Sequence, residues 1–123
     1  MTKTILVVDD SSTVRQQVSL ALKQAGFHTT EAADGLEGFN VLEGGKAIDM
    51  VICDFNMPNM TGLELIEKVK ARPNYKSLPM LMLTTEGQPS LIKRAKEAGA
   101  AGWIVKPFDA QQLVAAAKHL TKA

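Results

Sequence analysis

The sequence predicts an α/β fold in which five parallel strands form one doubly wound sheet with helices on both faces. Two features of the chain carry this prediction. Short apolar runs recur five times, and most lack polar alternation, which is typical of strands buried on both faces of a parallel sheet. A segment with apolar residues at helical spacing follows every run. This βα alternation favours one domain over residues 1–123.

The composition of each predicted strand indicates its place in the sheet. The runs 4–8, 50–53 and 80–83 are apolar throughout apart from a leading threonine, so they suit the interior. The segment 27–32 contains two threonines and a glutamate, which suits an edge, and the short segment 103–105 suits the other edge.

The predicted helices are marked by capping residues at their starts and by glycine or proline beyond most of their ends. In order they cover residues 12–25, 35–43, 62–71, 90–98 and the segment after Asp109. In the second helix we expect Leu36, Phe39 and Leu42 to face the sheet.

Composition excludes several classes of protein. The net charge is +1, so no global field favours nucleic acid or an anionic membrane surface. No apolar run approaches a membrane span, and the first residues lack a signal-peptide pattern, so we expect a cytoplasmic protein. The single cysteine, Cys53, rules out an internal disulfide and is expected to be a buried, inert thiol.

Polar residues that can bind an ion or take part in a reaction follow four of the predicted strands. Asp9 and Asp10 follow the first, Asp54 the third, Thr84 the fourth and Lys106 the fifth. The carboxyl ends of parallel strands lie on one edge, where ligands bind in open α/β sheets. With strand order 2-1-3-4-5, the first and third strands are neighbours and their carboxylates share one crevice.

A divalent cation is the expected occupant of that crevice. Carboxylates held a few ångströms apart repel each other, and a hard cation with oxygen ligands removes that cost. Three carboxylates, one lysine and one Mg²⁺ sum to zero charge. Taken singly, each residue also has a structural explanation: a helix cap for Asp9 and Asp10, a turn hydroxyl for Thr84, a surface amine for Lys106.

The residues at these strand ends resemble the receiver domain of two-component response regulators, in particular its single-domain chemotaxis members. The resemblance rests on Asp9-Asp10, the loop 54–62, Thr84 and Lys106-Pro107-Phe108, and it extends over the whole chain. It implies a flavodoxin-like sheet of order 2-1-3-4-5.

The resemblance implies a role for each acidic residue. Asp54 would be the nucleophile that accepts a phosphoryl group from a histidine kinase. Asp10, Asp54 and the backbone carbonyl of Asn56 would bind Mg²⁺, with Asp9 assisting. The protein would therefore be a phosphoacceptor in signalling rather than an enzyme with a separate substrate.

The resemblance also implies roles for the other conspicuous residues. Lys106, held before a cis Pro107, would contact the phosphoryl oxygens, and Thr84 would turn its hydroxyl toward them. Asn56 and Glu86 would tune hydrolysis, and their modest size suggests a short-lived phosphate.

Output in this family runs through the face of the fourth helix, fifth strand and fifth helix. Ile92 and Val105 are the expected partner contacts, and Trp103 the expected aromatic switch. Trp103 stands where tyrosine is usual, and Thr85 where a smaller residue is frequent, so both bear on that switch. The resemblance implies that the protein is a monomer and that its partner is a flagellar switch protein or a phosphatase.

Other readings of the same residues remain open. A stand-alone phosphorelay intermediate would carry the same site, as would a receiver used only as a scaffold. A phosphatase of the haloacid dehalogenase type places its nucleophile after the first strand in an Asp-x-Asp pattern, whereas this chain has adjacent aspartates there. A flavin binder needs a hydroxyl-rich phosphate loop at that point, and two carboxylates would repel the phosphate.

Overall fold

The computed structural model describes residues 2–122. Its strands are β1 (Thr4–Val8), β2 (His28–Ala32), β3 (Met50–Cys53), β4 (Met80–Thr84) and β5 (Gly102–Val105). Its α-helices are α1 (Ser12–Gln24), α2 (Gly35–Glu43), α3 (Gly62–Lys70), α4 (Pro89–Ala98) and α5 (Ala110–Thr121). Among these residues, no helix is both long and apolar enough to cross a membrane.

Within residues 2–122 the five strands form a single parallel sheet in the order β2-β1-β3-β4-β5, as predicted. The interior strands β3 and β4 are buried at every residue, whereas the edge strand β2 is exposed or half-buried except at Ala32. The apolar runs therefore indicated the centre of the sheet correctly.

Helices cover both faces of the sheet, and alternate strand residues feed two separate cores. On one face, α2, α3 and α4 pack against side chains that include Leu6, Val51 and Met82. On the other face, α1 and α5 pack against side chains that include Ile52 and Leu83. The doubly wound arrangement is confirmed.

The inward face of α2 differs from the predicted one. Phe39 and Leu42 are buried as expected, but Leu36 is 47% exposed. Gly35 and Gly38 occupy the inner face instead. A Cβ atom at Gly38 would lie 2.9 Å from a methyl carbon of Val8, so the helix approaches β1 where no side chain fits. Glycine carries no hydrophobic signal, which is why the periodicity pointed to Leu36.

The connection from α3 to β4 contains a short 3-10 helix, Pro73–Tyr75, that the sequence did not predict. The Tyr75 hydroxyl donates to the carbonyl of Leu42 at 2.7 Å. The Lys70 ammonium donates to the carbonyls of Tyr75, Lys76 and Leu78. Partial burial lowers the pKa of Lys70. These contacts fasten the connection to both α2 and α3.

Candidate functional site

The carboxylates that follow β1 and β3 lie together at one edge of the sheet. Asp9, Asp10 and Asp54 each offer an oxygen, and these oxygens lie within 4.8 Å of one another. The pairing of β1 with β3 produces this proximity, and it extends past the strands because the Asp54 amide donates to the carbonyl of Val8 at 3.0 Å. The predicted convergence therefore occurs.

Lys106 reaches into this cluster from the end of β5. Its Nζ lies 2.8 Å from Oδ2 of Asp9 and 3.5 Å from Oδ2 of Asp54, and its side chain is only 14% exposed. Its backbone amide donates to the carbonyl of Thr84 at 2.8 Å, and the bond to Pro107 is cis, as the resemblance implied. A surface-lysine explanation does not fit these contacts.

The adjacent aspartates have different surroundings. Asp9 is buried, with Oδ1 accepting the Ser11 amide at 2.9 Å and Oδ2 bound to Lys106. Its carbonyl accepts from Nη1 of Arg15 at 2.6 Å, a contact the sequence did not reveal although Arg15 lies in the first helical turns after the pair. Asp10 is exposed.

The donor set suits a hard divalent cation. Each candidate ligand atom is a carboxylate oxygen. The carboxylate of Asp10 faces solvent, so a hydrated ion can reach the cluster from that side. The cluster with Lys106 carries two net negative charges, because three carboxylates oppose one ammonium. Mg²⁺ offers the matching charge and prefers oxygen ligands.

A glycine at the start of α3 allows the loop after Asp54 to fold back tightly. The Gly62 amide donates to the carbonyl of Phe55 at 2.9 Å. A Cβ atom at Gly62 would overlap the carbonyl oxygen of Asp54 and lie 2.7 Å from Cε of Met82. Thr61 and Glu64 then form a capping box that fixes the helix start.

Cys53, immediately before Asp54, is a buried thiol as predicted. Its sulfur lies 3.4 Å from that of Met82. Burial, with smaller contributions from the charges of Asp54 and Asp9, raises the pKa of the Cys53 thiol to about 12. The thiol is therefore protonated and unreactive at neutral pH.

Hydrogen bonds connect the loop after Asp54 with the loop after β4. Asn56 Nδ2 donates to Glu86 Oε1 at 3.1 Å, and the Glu86 amide donates to Oγ1 of Thr84 at 3.3 Å. The indole Nε1 of Trp103 donates to the Glu86 carbonyl at 2.7 Å. Trp103 also packs against Phe55, with ring centroids 6.4 Å apart. Sequence spacing carried no signal for these contacts.

The predicted partner contacts, Ile92 and Val105, lie on the α4–β5–α5 side; of the residues discussed for the switch, Trp103 lies on β5 and Thr85 directly follows β4. Val105 is 46% exposed, Thr85 is exposed, and Ile92 and Trp103 are half-buried. Val105 and Ile92 are thus accessible to a second protein, whereas Thr85 lines a groove beside α1.

Comparison with known proteins shows which family this chain and its fold are similar to. Residues 5–118 match the family described as the response regulator receiver domain. The chain is 42% identical over 110 residues to a chemotaxis protein CheY homolog of Campylobacter jejuni, covering 89% of this chain and 85% of that protein.

Solved structures agree over nearly the full length. Vibrio cholerae chemotaxis protein CheY4 superposes with a TM-score of 0.91 at 40% identity, covering 98% of this chain and 99% of that one. A putative response regulator from Chloroflexus aurantiacus superposes with a TM-score of 0.93 at 36% identity, with both chains fully covered.

Proposed function

This chain belongs to the response regulator receiver domain family, and we propose that it accepts a phosphoryl group from a histidine kinase on Asp54, with Mg²⁺, to signal in chemotaxis. One observation carries the proposal: the carboxylates of Asp9, Asp10 and Asp54 meet within 4.8 Å, with the Lys106 ammonium beside them. Phosphoryl transfer needs positioned charge above all, and this cluster provides it.

The surroundings of each carboxylate support a division of roles. Asp54 is the nucleophile, because it lies at the end of a buried strand beside Lys106. Asp10 is a direct Mg²⁺ ligand, since it is exposed, together with Asp54 and the carbonyl of Asn56. Asp9 is engaged by Ser11 and Lys106 and therefore assists indirectly. Bound Mg²⁺ neutralises charge on the phosphoryl oxygens.

Lys106 and Thr84 act on the transferred group itself. Lys106 exchanges part of its contact with Asp9 for the phosphoryl oxygens, which are within reach of a flexible amine already 3.5 Å from Asp54. Thr84 is fully buried, with its Oγ1 accepting from Glu86, and its hydroxyl proton is donated to a phosphoryl oxygen. The chain catalyses these steps on itself and has no separate substrate.

The signal leaves through the α4–β5–α5 face of a monomer in the cytoplasm. The surface there combines apolar, polar and aromatic side chains that are exposed or half-buried: Val105, Ile92, Thr85 and the edge of Trp103. The partner is a protein, a flagellar switch component or a phosphatase, since a net charge of +1 gives no attraction to nucleic acid or membrane.

Phosphorylation by a small acyl phosphate is expected to require the divalent ion. With Mg²⁺ present, intact-mass measurement should find one phosphoryl group per chain, and excess chelator should prevent it. Asp10→Asn should raise the Mg²⁺ concentration needed by roughly tenfold or more, because removing one carboxylate of the ligand set weakens binding of a hard cation. Equal phosphorylation with and without chelator would contradict the proposed Mg²⁺ site.

The phosphorylated form is expected to be short-lived. Asn56 is exposed, and neither it nor the half-buried Glu86 is bulky enough to cover the phosphate against in-line water. Asn56→Leu should lengthen the lifetime by placing an apolar side chain over the approach. Mass spectra taken during decay, after removal of the phosphodonor, measure both lifetimes. A wild-type phosphate that survives for hours would contradict this prediction and weaken the assignment to chemotaxis.

A further inference from the structure

Asp9 is held at its backbone as well as at its carboxylate. Its amide donates to the carbonyl of Ala32 at the end of β2 at 3.1 Å, and its carbonyl accepts from Nη1 of Arg15 at 2.6 Å. The two carboxylate oxygens accept from the Ser11 amide and the Lys106 ammonium. Because Asp9 is only 3% exposed, loss of any of these contacts would leave a buried polar group without its partner.

Arg15 joins Asp9 to the edge strand β2. Its Nε donates to Oε1 of Glu31 at 3.2 Å, and Oε2 of the same carboxylate accepts from the buried hydroxyl of Ser19 at 3.3 Å. A partly exposed ion pair of this kind contributes little stability by itself. It does orient the guanidinium, because Arg binds as a rigid planar fork. The group is thereby held at one edge by Glu31 while its other edge meets the Asp9 carbonyl.

The Asp9 carbonyl belongs to the peptide group that connects the two aspartates. A peptide group is planar, so a hydrogen bond to its oxygen also fixes the amide nitrogen of Asp10. The direction in which the Asp10 side chain leaves the backbone follows from that placement. Asp10 is exposed, and its carboxylate oxygen lies within 4.8 Å of those of Asp9 and Asp54. The backbone before Asp10 is therefore what sets the place of this carboxylate in the cluster.

We propose that Arg15 is a positioning residue for Mg²⁺ binding that acts through the Asp9–Asp10 peptide. By donating to the Asp9 carbonyl, the guanidinium holds the Asp10 carboxylate beside the other two before an ion binds. Glu31 keeps the guanidinium in that orientation. The inference rests on the proposed function, since it takes Asp10 as a direct ligand, and it adds a residue outside the carboxylate cluster to the binding of the ion.

Charge and positioning predict opposite effects of removing Arg15. The guanidinium is a cation and repels Mg²⁺, so loss of its charge alone would tighten binding of the ion. Loss of a group that orients a ligand weakens binding instead, typically by roughly 10- to 100-fold. A purely structural role would lower the free energy of unfolding without changing the dissociation constant of the folded protein. The direction of the change in that constant therefore distinguishes the three.

The test uses two substitutions at Arg15 and one matched control. Arg15→Met keeps an unbranched apolar stem but removes the charge and the donors, whereas Arg15→Lys keeps the charge without the planar fork. Arg94→Met is the control, because Arg94 is exposed on α4, which packs on the opposite face of the sheet from α1. Isothermal titration calorimetry measures the Mg²⁺ dissociation constant, and urea denaturation establishes that each variant is folded. Intact mass gives the rate of phosphorylation by a small acyl phosphate at saturating Mg²⁺.

Arg15→Met is expected to raise the Mg²⁺ dissociation constant by roughly tenfold or more, with a much smaller change in the rate at saturating Mg²⁺. Arg15→Lys should lie between wild type and Arg15→Met, and Arg94→Met should match wild type. An unchanged or lowered constant in Arg15→Met would overturn the inference alone. If that variant does not fold, an unchanged constant in Arg15→Lys would overturn it equally. A wild-type protein that binds no Mg²⁺ would overturn the proposed function as well.

Discussion

Asp54→Asn is expected to abolish phosphoryl uptake completely, as measured by intact mass after incubation with a small acyl phosphate and Mg²⁺. The amide that replaces the carboxylate is a poor nucleophile, and it also removes a charge that Mg²⁺ and Lys106 require. The change is nearly isosteric, and the residue lies at the strand end rather than inside the core, so the fold should persist. Loss of phosphoryl uptake would therefore reflect loss of the nucleophile and not unfolding.

Asp34→Asn is the matched control for this change. Asp34 caps α2 through the Glu37 amide at 2.8 Å, and asparagine caps equally well. It belongs to the same side of the molecule but not to the carboxylate cluster, so its uptake should equal that of wild type. A phosphoryl group found on another residue of Asp54→Asn would show that the nucleophile is assigned wrongly.

Gly62→Ala is expected to have the largest effect on stability. The added methyl group would overlap the carbonyl oxygen of Asp54 and crowd Cε of Met82. Backbone cannot move aside as a flexible side chain can, so we expect a loss of about 3 kcal/mol in the free energy of unfolding, at the upper end of the typical cost of overpacking. Urea denaturation followed by circular dichroism measures it. Because the clash is with Asp54 itself, phosphorylation of the surviving folded fraction should also slow.

Gly87→Ala provides the comparison for Gly62. A Cβ atom at Gly87 would meet only a methyl carbon of Val105 at 3.4 Å, an ordinary contact. Its unfolding free energy should stay within about 0.5 kcal/mol of wild type, as at most surface positions. If Gly62→Ala costs no more than Gly87→Ala, the close approach at the start of α3 is not a constraint on this fold.

Much of the fold could be predicted because its signals are local and repeated. Apolar runs, caps such as Ser11, Asp34 and Asp109, and glycines beyond helix ends are read directly from neighbouring residues, and the structure has them. The exposure of Leu36 and the 3-10 helix at Pro73–Tyr75 were missed. In the first case the deciding factor is the close approach of Gly38 to β1, and in the second it is the hydrogen bond from the Tyr75 hydroxyl to Leu42, 33 positions away; both are tertiary contacts.

The candidate site, like the fold, has a part that the sequence predicts and a part that it does not. Strand-end chemistry and sheet order together place Asp9, Asp10, Asp54 and Lys106, and the structure brings them into one cluster. The hydrogen bonds of Glu86 with Asn56 and Trp103 were not predicted from the sequence. Their pairing depends on how two loops lie over the sheet edge, and no residue pattern encodes it.

The burial of Cys53 gives this protein a practical advantage for spectroscopy. Its thiol is the only one in the sequence, and with a pKa of about 12 it offers alkylating reagents almost no thiolate at neutral pH. A cysteine introduced at the exposed Val105 would therefore carry a spin label or dye alone, with the native Cys53 left in place. A label at the end of the edge strand β5 can therefore report on phosphorylation of Asp54 without any substitution in the core around Cys53.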